Sequence, residues 1–217
     1  MKPVCPDLAK HTIGILLFMV LAVFSIQAQE TTSSPATPAR TEPEQSDQLD
    51  GRKYVFPTQR ERFDRYVSNT VGPFRLVRTG VTAGIDQWRD KPEEWGQGLK
   101  GYGKRYASAL GRNAIQQTVT YGLDEALNLD SGFQRSGREG FFPRFKHALL
   151  ETVTSRTRSG KRVVSAPRLA GVYAGGIIAT ETWYPDRHSY KDGLRIGTGT
   201  LITGFGINLV REFLISW

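Results

Sequence analysis

Two histidines lie close to carboxylates in the sequence, and these pairs are the first candidates for chemistry. His147 and Glu151 are four residues apart, which places both side chains on one face of a helix. His188 follows Asp186 by two residues. An imidazole oriented by a carboxylate transfers protons, and two histidines with a carboxylate can bind zinc. One interpretation is therefore a small metal- or histidine-dependent hydrolase acting on envelope lipid or polymer, and the other is that both histidines are surface or capping residues.

Other signatures of catalysis and of resident cofactors are missing from the sequence. It contains neither G-x-S-x-G nor G-x-x-x-x-G-K-[ST], the motifs of serine hydrolases and phosphate-binding loops. The one cysteine, Cys5, precedes an apolar run near the N-terminus, so the remainder has no thiol for a disulfide, a metal or a nucleophile. We therefore expect no cofactor and no metal, and the sequence favours a non-enzymatic protein over an enzyme.

The first 28 residues have the pattern of a secretory signal peptide. Lys2 and Lys10 precede an uncharged run that ends at Ala28, after which the sequence becomes polar. A basic start, an apolar run and a small residue at the end predict export and cleavage. An uncleaved anchor helix is the alternative, although the run is shorter than the ~20 residues that span a bilayer. The expected location is the periplasm or the outer membrane.

A linker and a domain follow the predicted signal peptide. Residues 29–50 are rich in Thr, Ser, Pro, Glu and Gln and contain no aromatic residue, a composition typical of a disordered linker. Residues 51–217 form a single domain by length. That domain has 26 Lys and Arg against 15 Asp and Glu, a net charge of +11. Such a charge favours binding to an anionic membrane or envelope surface, unless it serves solubility alone.

Helical periodicity dominates the domain. Apolar residues recur at spacings of three and four, and prolines and capping residues mark the ends of these segments. The pattern predicts an all-α, glycine-rich bundle of about six helices after the signal peptide and disordered linker. A small outer-membrane β-barrel is the alternative for an exported chain with an aromatic C-terminus. The predicted helices cover roughly residues 63–70, 73–88, 90–129, 143–152, 166–183 and 189–214.

Small residues in the long helices follow helical spacing. They form an arc on the third helix and recur on the last two, as expected where helix backbones approach closely. Such spacing is found in membrane helices and at close crossings in soluble bundles. The uncharged stretch 196–210 measures about 22 Å as a helix, against ~30 Å of bilayer hydrocarbon, which favours a bundle core. The predicted helix-packing residues are Gly103, Ala107, Gly111, Ala114, Gly122, Gly171, Gly175 and Gly204.

A run of basic residues between two predicted helices is a candidate for anionic contact. The segment SRTRSGKR supplies Arg156, Arg158, Lys161 and Arg162. Basic and aromatic residues also alternate from Phe133 to Arg144, a pattern compatible with nucleic acid or with lipid head groups. Because an exported protein seldom meets nucleic acid, we expect a membrane or envelope surface as partner, or a second copy of the chain. The sequence thus favours a non-enzymatic, membrane-associated or self-associating envelope protein.

Three motifs carry a resemblance to a known group of proteins. They are EWGQGLKGYGKRYASALGR (94–112), FQRSGREGFFPR (133–144), and TWYPDR (182–187) followed by NLVREF (208–213). In these motifs the chain resembles an uncharacterised family of small exported bacterial envelope proteins. The resemblance covers about residues 80–213 and implies export to the envelope, but it implies no activity and no site residues.

Overall fold

The protein is an α-helical bundle in the described part of the chain. A computed structural model describes residues 54–137 and 139–214; the predicted signal peptide 1–28 and linker 29–50 lie outside them. The predicted all-α fold is confirmed. The helices are α1 (Gln59–Val71), α2 (Pro73–Trp88), α3 (Gly98–Leu127), α4 (Phe141–Val153), α5 (Ala166–Thr182) and α6 (Tyr190–Phe213), with a 3₁₀ turn at Glu93–Trp95.

Local sequence signals set several of the helix ends. Thr58 and Glu61 form a capping box at the start of α1, in which each side chain accepts from the other residue's backbone N–H. Ser189 and Asp192 do the same at the start of α6, as their spacing predicts. Asn128 ends α3 in the left-handed conformation, with φ 52°, which asparagine tolerates better than most residues.

The third helix begins later than its sequence predicts. The expected start near Asp90 is a turn, and α3 begins only at Gly98. Arg105 holds this turn in place: its buried guanidinium donates to the carbonyl oxygens of Lys91 at 2.9 Å, Pro92 at 2.8 Å and Gly96 at 2.6 Å. Arg105 is buried under the turn.

A small antiparallel sheet was missed by the sequence analysis. The strands are β1 (Leu129–Asp130), β2 (Thr154–Thr157) and β3 (Arg162–Val164), in the order β1-β2-β3. Leu129 pairs with Thr157, and Thr154 with Val164. The segment SRTRSGKR therefore forms most of a β-hairpin rather than a simple turn. Strands of two to four mostly polar residues carry too little alternation to be recognised.

Helix α5 lies between α3 and α6 and makes the closest backbone contacts of the bundle. A Cβ atom added at Gly171 would lie 2.6 Å from the carbonyl oxygen of Gln116, and one at Gly175 would lie 2.7 Å from that of Arg112. On the opposite side, a Cβ at Gly193 would lie 2.7 Å from the Cα of Ile177. Glycine is required where backbones approach so closely.

The predicted arc on α3 contributes little to this close approach. A Cβ added at Gly103 or Gly122 on α3 would meet nothing within 4 Å, and one at Gly111 would contact only the ring of Trp183. The predicted packing residue Gly204 on α6 likewise has nothing within 4 Å of an added Cβ. Ala107 is exposed and Ala114 is half-buried. The close contact on α3 is made by the backbone of residues that are not glycine, while α5 supplies the glycines.

The interior of the bundle is unusually polar. Its fully buried apolar residues are few and mostly small, such as Ala83, Ala148 and Ala179. The largest fully buried side chains include Arg105, Arg156 and Glu212, whereas many large apolar side chains are exposed. Most globular proteins show the reverse distribution. No helix within residues 54–137 and 139–214 has both the length and the apolar composition that crossing a membrane requires.

Helix α2 shows this inversion most clearly. Its apolar residues have the three- and four-residue spacing of a single stripe, and every member of that stripe is exposed, from 42% at Ile85 to 84% at Trp88. The opposite face carries the buried Thr79 and Ala83. The sequence predicts the stripe correctly, and the structure directs it outward. We call these residues the α2 stripe: Phe74, Val77, Val81, Ile85 and Trp88.

Candidate functional site

A cavity of about 390 Å³ lies among the helices, and its volume is that of a small-molecule site. All six helices contribute to its wall, together with Asp130 of β1 and the segment that follows it. One part of the wall is apolar, formed by Val172, Leu201 and Ile207. The remainder is dominated by arginine: Arg62, Arg65, Arg75, Arg78, Arg168 and Arg211.

Three of the six arginines have partners in the protein. Arg62 binds both carboxylate oxygens of Glu125 at 2.7 Å, and Arg65 forms an ion pair of 2.5 Å with Asp130. Arg168 donates to the backbone carbonyl oxygens of Ser131 and Glu151. These three guanidinium groups position the wall of the cavity, and their contacts satisfy them without a ligand.

The other three arginines differ because the described residues offer them no carboxylate. Neither an ion pair nor a donated hydrogen bond is present for Arg75, Arg78 or Arg211 in the described part of the chain. The Nε atom of Arg75 is buried without an acceptor. Arg211 lies 5.9 Å from the ring centre of Phe133, a cation–π distance. We call Arg75, Arg78 and Arg211 the arginine triad.

The surroundings of the triad disfavour its positive charge. Burial, followed by repulsion from Arg78 and Arg112, lowers the pKa of Arg75 to about 10. Burial and the charge of Arg211 lower the pKa of Arg78, and burial lowers that of Arg211. A lowered pKa of a cation means that its surroundings disfavour the charge. An anion in the cavity would remove this penalty.

Two aspartates lie in the same wall but do not neutralise the triad. Asp130 is committed to Arg65 and also accepts from the Tyr54 hydroxyl at 2.9 Å. Burial raises the pKa of Asp124 to about 7, although hydrogen bonds from Ser131 oppose the rise. At neutral pH Asp124 is therefore protonated in part of the molecules, and the cavity keeps a positive balance.

The histidine candidates lie elsewhere, and the structure separates their roles. The Nε2 atom of His147 is 3.6 Å from Glu151, and its Nδ1 atom is 3.6 Å from Glu212. His147, Glu151 and Glu212 are at most 2% exposed, and none of them lines the cavity. Burial raises the pKa of Glu151, while Arg162 and Arg156 oppose the rise. A group so deeply buried cannot meet a substrate, and its contacts are those of a buried ionic network.

The second histidine does not join the first. His188 packs edge-on against Tyr184, with 5.3 Å between ring centres, and Asp186 is exposed in the segment between α5 and α6. Within the described residues, no group of three His, Cys, Asp or Glu side chains is placed to hold a metal ion. The structure thus brings His147 and Glu151 together and adds Glu212, which the sequence did not suggest.

The basic residues of the β2–β3 hairpin divide into two pairs. Arg156 and Arg162 contact Glu151 at 3.2 and 3.0 Å, so these two guanidinium groups serve the interior. Arg158 and Lys161 are exposed and remain open to contact with an anionic surface. The hairpin explains the division: Arg156 and Arg162 are opposite each other in the strand register, whereas Arg158 and Lys161 lie in the turn between the strands.

The arginine triad was missed by the sequence analysis. Arg75 and Arg78 are three residues apart in the segment PFRLVRTG, a spacing that places two side chains on one helical face. They flank the apolar residues that define the α2 stripe. Two arginines beside an apolar stripe are a detectable signal, but their convergence with Arg211 depends on the packing of α2 and α6.

Comparison of the chain with protein-family models, with curated proteins and with solved structures finds no match. The resemblance to exported bacterial envelope proteins stays a prediction from the three sequence motifs.

Proposed function

We propose that this chain is an exported, non-enzymatic protein of the cell envelope that binds the surface of an anionic membrane. The α2 stripe is the observation that carries the proposal. Five large side chains lie exposed along one helix, and contiguous apolar surface of this kind marks interaction sites rather than free solvent-facing surface. The expected location is the periplasm or the outer membrane.

The charge of the domain favours lipid over other occupants of the stripe. Residues 51–217 carry a net charge of +11, which attracts the chain to anionic head groups and repels a second copy of itself. A helix that lies in the interface inserts its apolar face and leaves basic residues at head-group level. Arg89, which is exposed directly after Trp88 at the end of α2, meets that requirement.

Helix α6 also exposes large apolar side chains, although they do not form a single stripe. Leu194, Ile202 and Val210 are exposed, and at about 100° per residue they spread over about 160° of the helix. The buried side of α6 includes Gly193, Gly197, Asn208 and Glu212. Small and polar residues thus mediate its packing inside the bundle, as in helices whose outer faces meet lipid.

The proposal is tested by placing a charge in the α2 stripe. We expect Val81→Asp to lower the ratio of membrane-bound to soluble protein by at least about tenfold in fractionated cells, because an inserted valine contributes about 1.5 kcal/mol or more. Membranes are washed with high salt first, and the apolar contact should keep the wild type bound. Ala107→Asp is the matched control, since Ala107 is exposed on α3 and gains the same charge.

Two results contradict the proposal. In the first, Val81→Asp stays with the membrane as firmly as Ala107→Asp, so that another part of the chain holds it there. In the second, salt releases the wild type as a stable dimer, and the stripe then contacts a second copy instead of lipid.

A further inference from the structure

We propose that the arginine-lined cavity binds a phosphate group, carried either by a phospholipid head group or by a soluble phosphate ester. Phosphate binding goes beyond the membrane association proposed above and does not require it. The contacts of the cavity wall, the triad and the cavity volume carry the proposal.

The first observation is that the positive charge is kept without compensation. Guanidinium groups in protein interiors are ordinarily paired, because an unpaired buried charge is costly. Arg62 and Arg65 follow this rule through Glu125 and Asp130. The arginine triad in the same wall is half-buried and has no carboxylate partner among the described residues, and the buried Nε of Arg75 lacks an acceptor. A ligand that brings negative charge and several acceptor oxygens satisfies both deficiencies at once.

The second observation is that the triad converges from two helices. Arg75 and Arg78 come from α2, Arg211 comes from α6, and all three line one cavity. Guanidinium groups donate in planar forks that match the oxygens of phosphate. Three forks in the wall of one cavity suit a tetrahedral oxyanion better than a single carboxylate, which two forks already saturate.

The third observation concerns what accompanies the phosphate. A cavity of about 390 Å³ exceeds the volume of an inorganic phosphate ion several times. The wall also includes the apolar residues Val172, Leu201 and Ile207. A glycerol phosphate with the first carbons of its acyl chains would fill this shape, and so would another small phosphate ester. The shared chemistry is the phosphate group, and the experiment separates the two sources.

The test measures phosphate affinity by isothermal titration of the full-length chain in a neutral detergent and a phosphate-free buffer. The probes are glycerol 3-phosphate, dihexanoyl phosphatidic acid and dihexanoyl phosphatidylcholine. We expect the wild type to bind at least one of the first two probes and to bind the zwitterionic lipid more weakly. Equal affinity for the first two indicates a soluble ester, and a preference for phosphatidic acid indicates a lipid.

Arg78→Gln should weaken phosphate binding by at least about tenfold, the effect of losing one charge-assisted contact. Its thermal unfolding midpoint should not fall, because the change removes a repelled cation. Arg60→Gln is the matched control: Arg60 is exposed on α1 and loses the same charge, and its affinity should stay within about twofold of wild type, as expected for a screened surface charge.

Three results overturn the proposal. The wild type binds none of the phosphate probes; or Arg60→Gln weakens binding as much as Arg78→Gln, so that only overall charge matters; or Arg78→Gln lowers the unfolding midpoint while its affinity is unchanged, so that the triad is structural. The wild-type titration decides the question even if a variant fails to fold.

Discussion

Replacing Arg105 by methionine should lower the free energy of unfolding by about 3–5 kcal/mol, the range for removing one partner from a buried charged network. The guanidinium is 1% exposed, and besides three carbonyl oxygens it contacts Gln87 at 2.6 Å and Asp90 at 3.1 Å. Methionine retains most of the stem but donates nothing, so the carbonyl oxygens of the turn before α3 lose their donor.

Chemical denaturation followed by circular dichroism measures this change. Lys104→Met is the matched control because Lys104 is the exposed neighbour, and its effect should stay within about 0.5 kcal/mol. Arg105→Lys separates charge from geometry, since lysine keeps the charge without the planar fork. An Arg105→Lys protein as stable as wild type would show that charge alone suffices and that the fork is dispensable.

The second large effect is expected at the contact between α3 and α5. Gly171→Ala places a methyl group 2.6 Å from the carbonyl oxygen of Gln116 and against the Thr120 side chain, so the helices must separate. Overpacking of this kind lowers the free energy of unfolding by about 1–3 kcal/mol, even though alanine favours helix formation over glycine.

Gly122→Ala is the control with the opposite expected sign. Its new methyl group would meet nothing within 4 Å, and the substitution should raise stability by up to about 1 kcal/mol through helix propensity. Thermal unfolding of both variants measures the difference. If Gly171→Ala is also stabilised, the close approach of α5 to α3 is not a constraint on the fold.

Periodicity predicts helices here, but it does not predict which side of a helix faces inward. Val77, Val81 and Ile85 have the spacing of one face of α2, and hydrophobic burial would direct that face into the core. The structure directs it outward, because buried polar groups on α3 and α6, such as Asn113 and Glu212, fill the interior instead. The spacing of the apolar residues predicts the α2 stripe, but it does not predict which surface the stripe contacts.

Glycine positions illustrate a second limit of the sequence. Gly103, Gly111, Gly171 and Gly175 share the spacing of a packing face, yet only the latter two lie against another backbone. Spacing within one helix describes a face of that helix, whereas a close contact depends on which helix packs against the face and how near its backbone comes. For the same reason the arginine triad could not be predicted, because Arg211 follows Arg75 and Arg78 by more than 130 residues in the sequence.

The central claim is that the α2 stripe contacts lipid, and it follows from the polar interior and the exposed apolar side chains. The direct measurement uses an environment-sensitive fluorophore on a cysteine at Val81 or, for comparison, at the exposed Lys104, with Cys5 replaced by serine. On vesicles containing phosphatidylglycerol, we predict that the label at position 81 shifts to blue emission and is quenched by lipid-borne nitroxide, while the label at position 104 does neither. A label at position 81 that stays in water on vesicle-bound protein, or that becomes buried without vesicles as protein concentration rises, would contradict the claim.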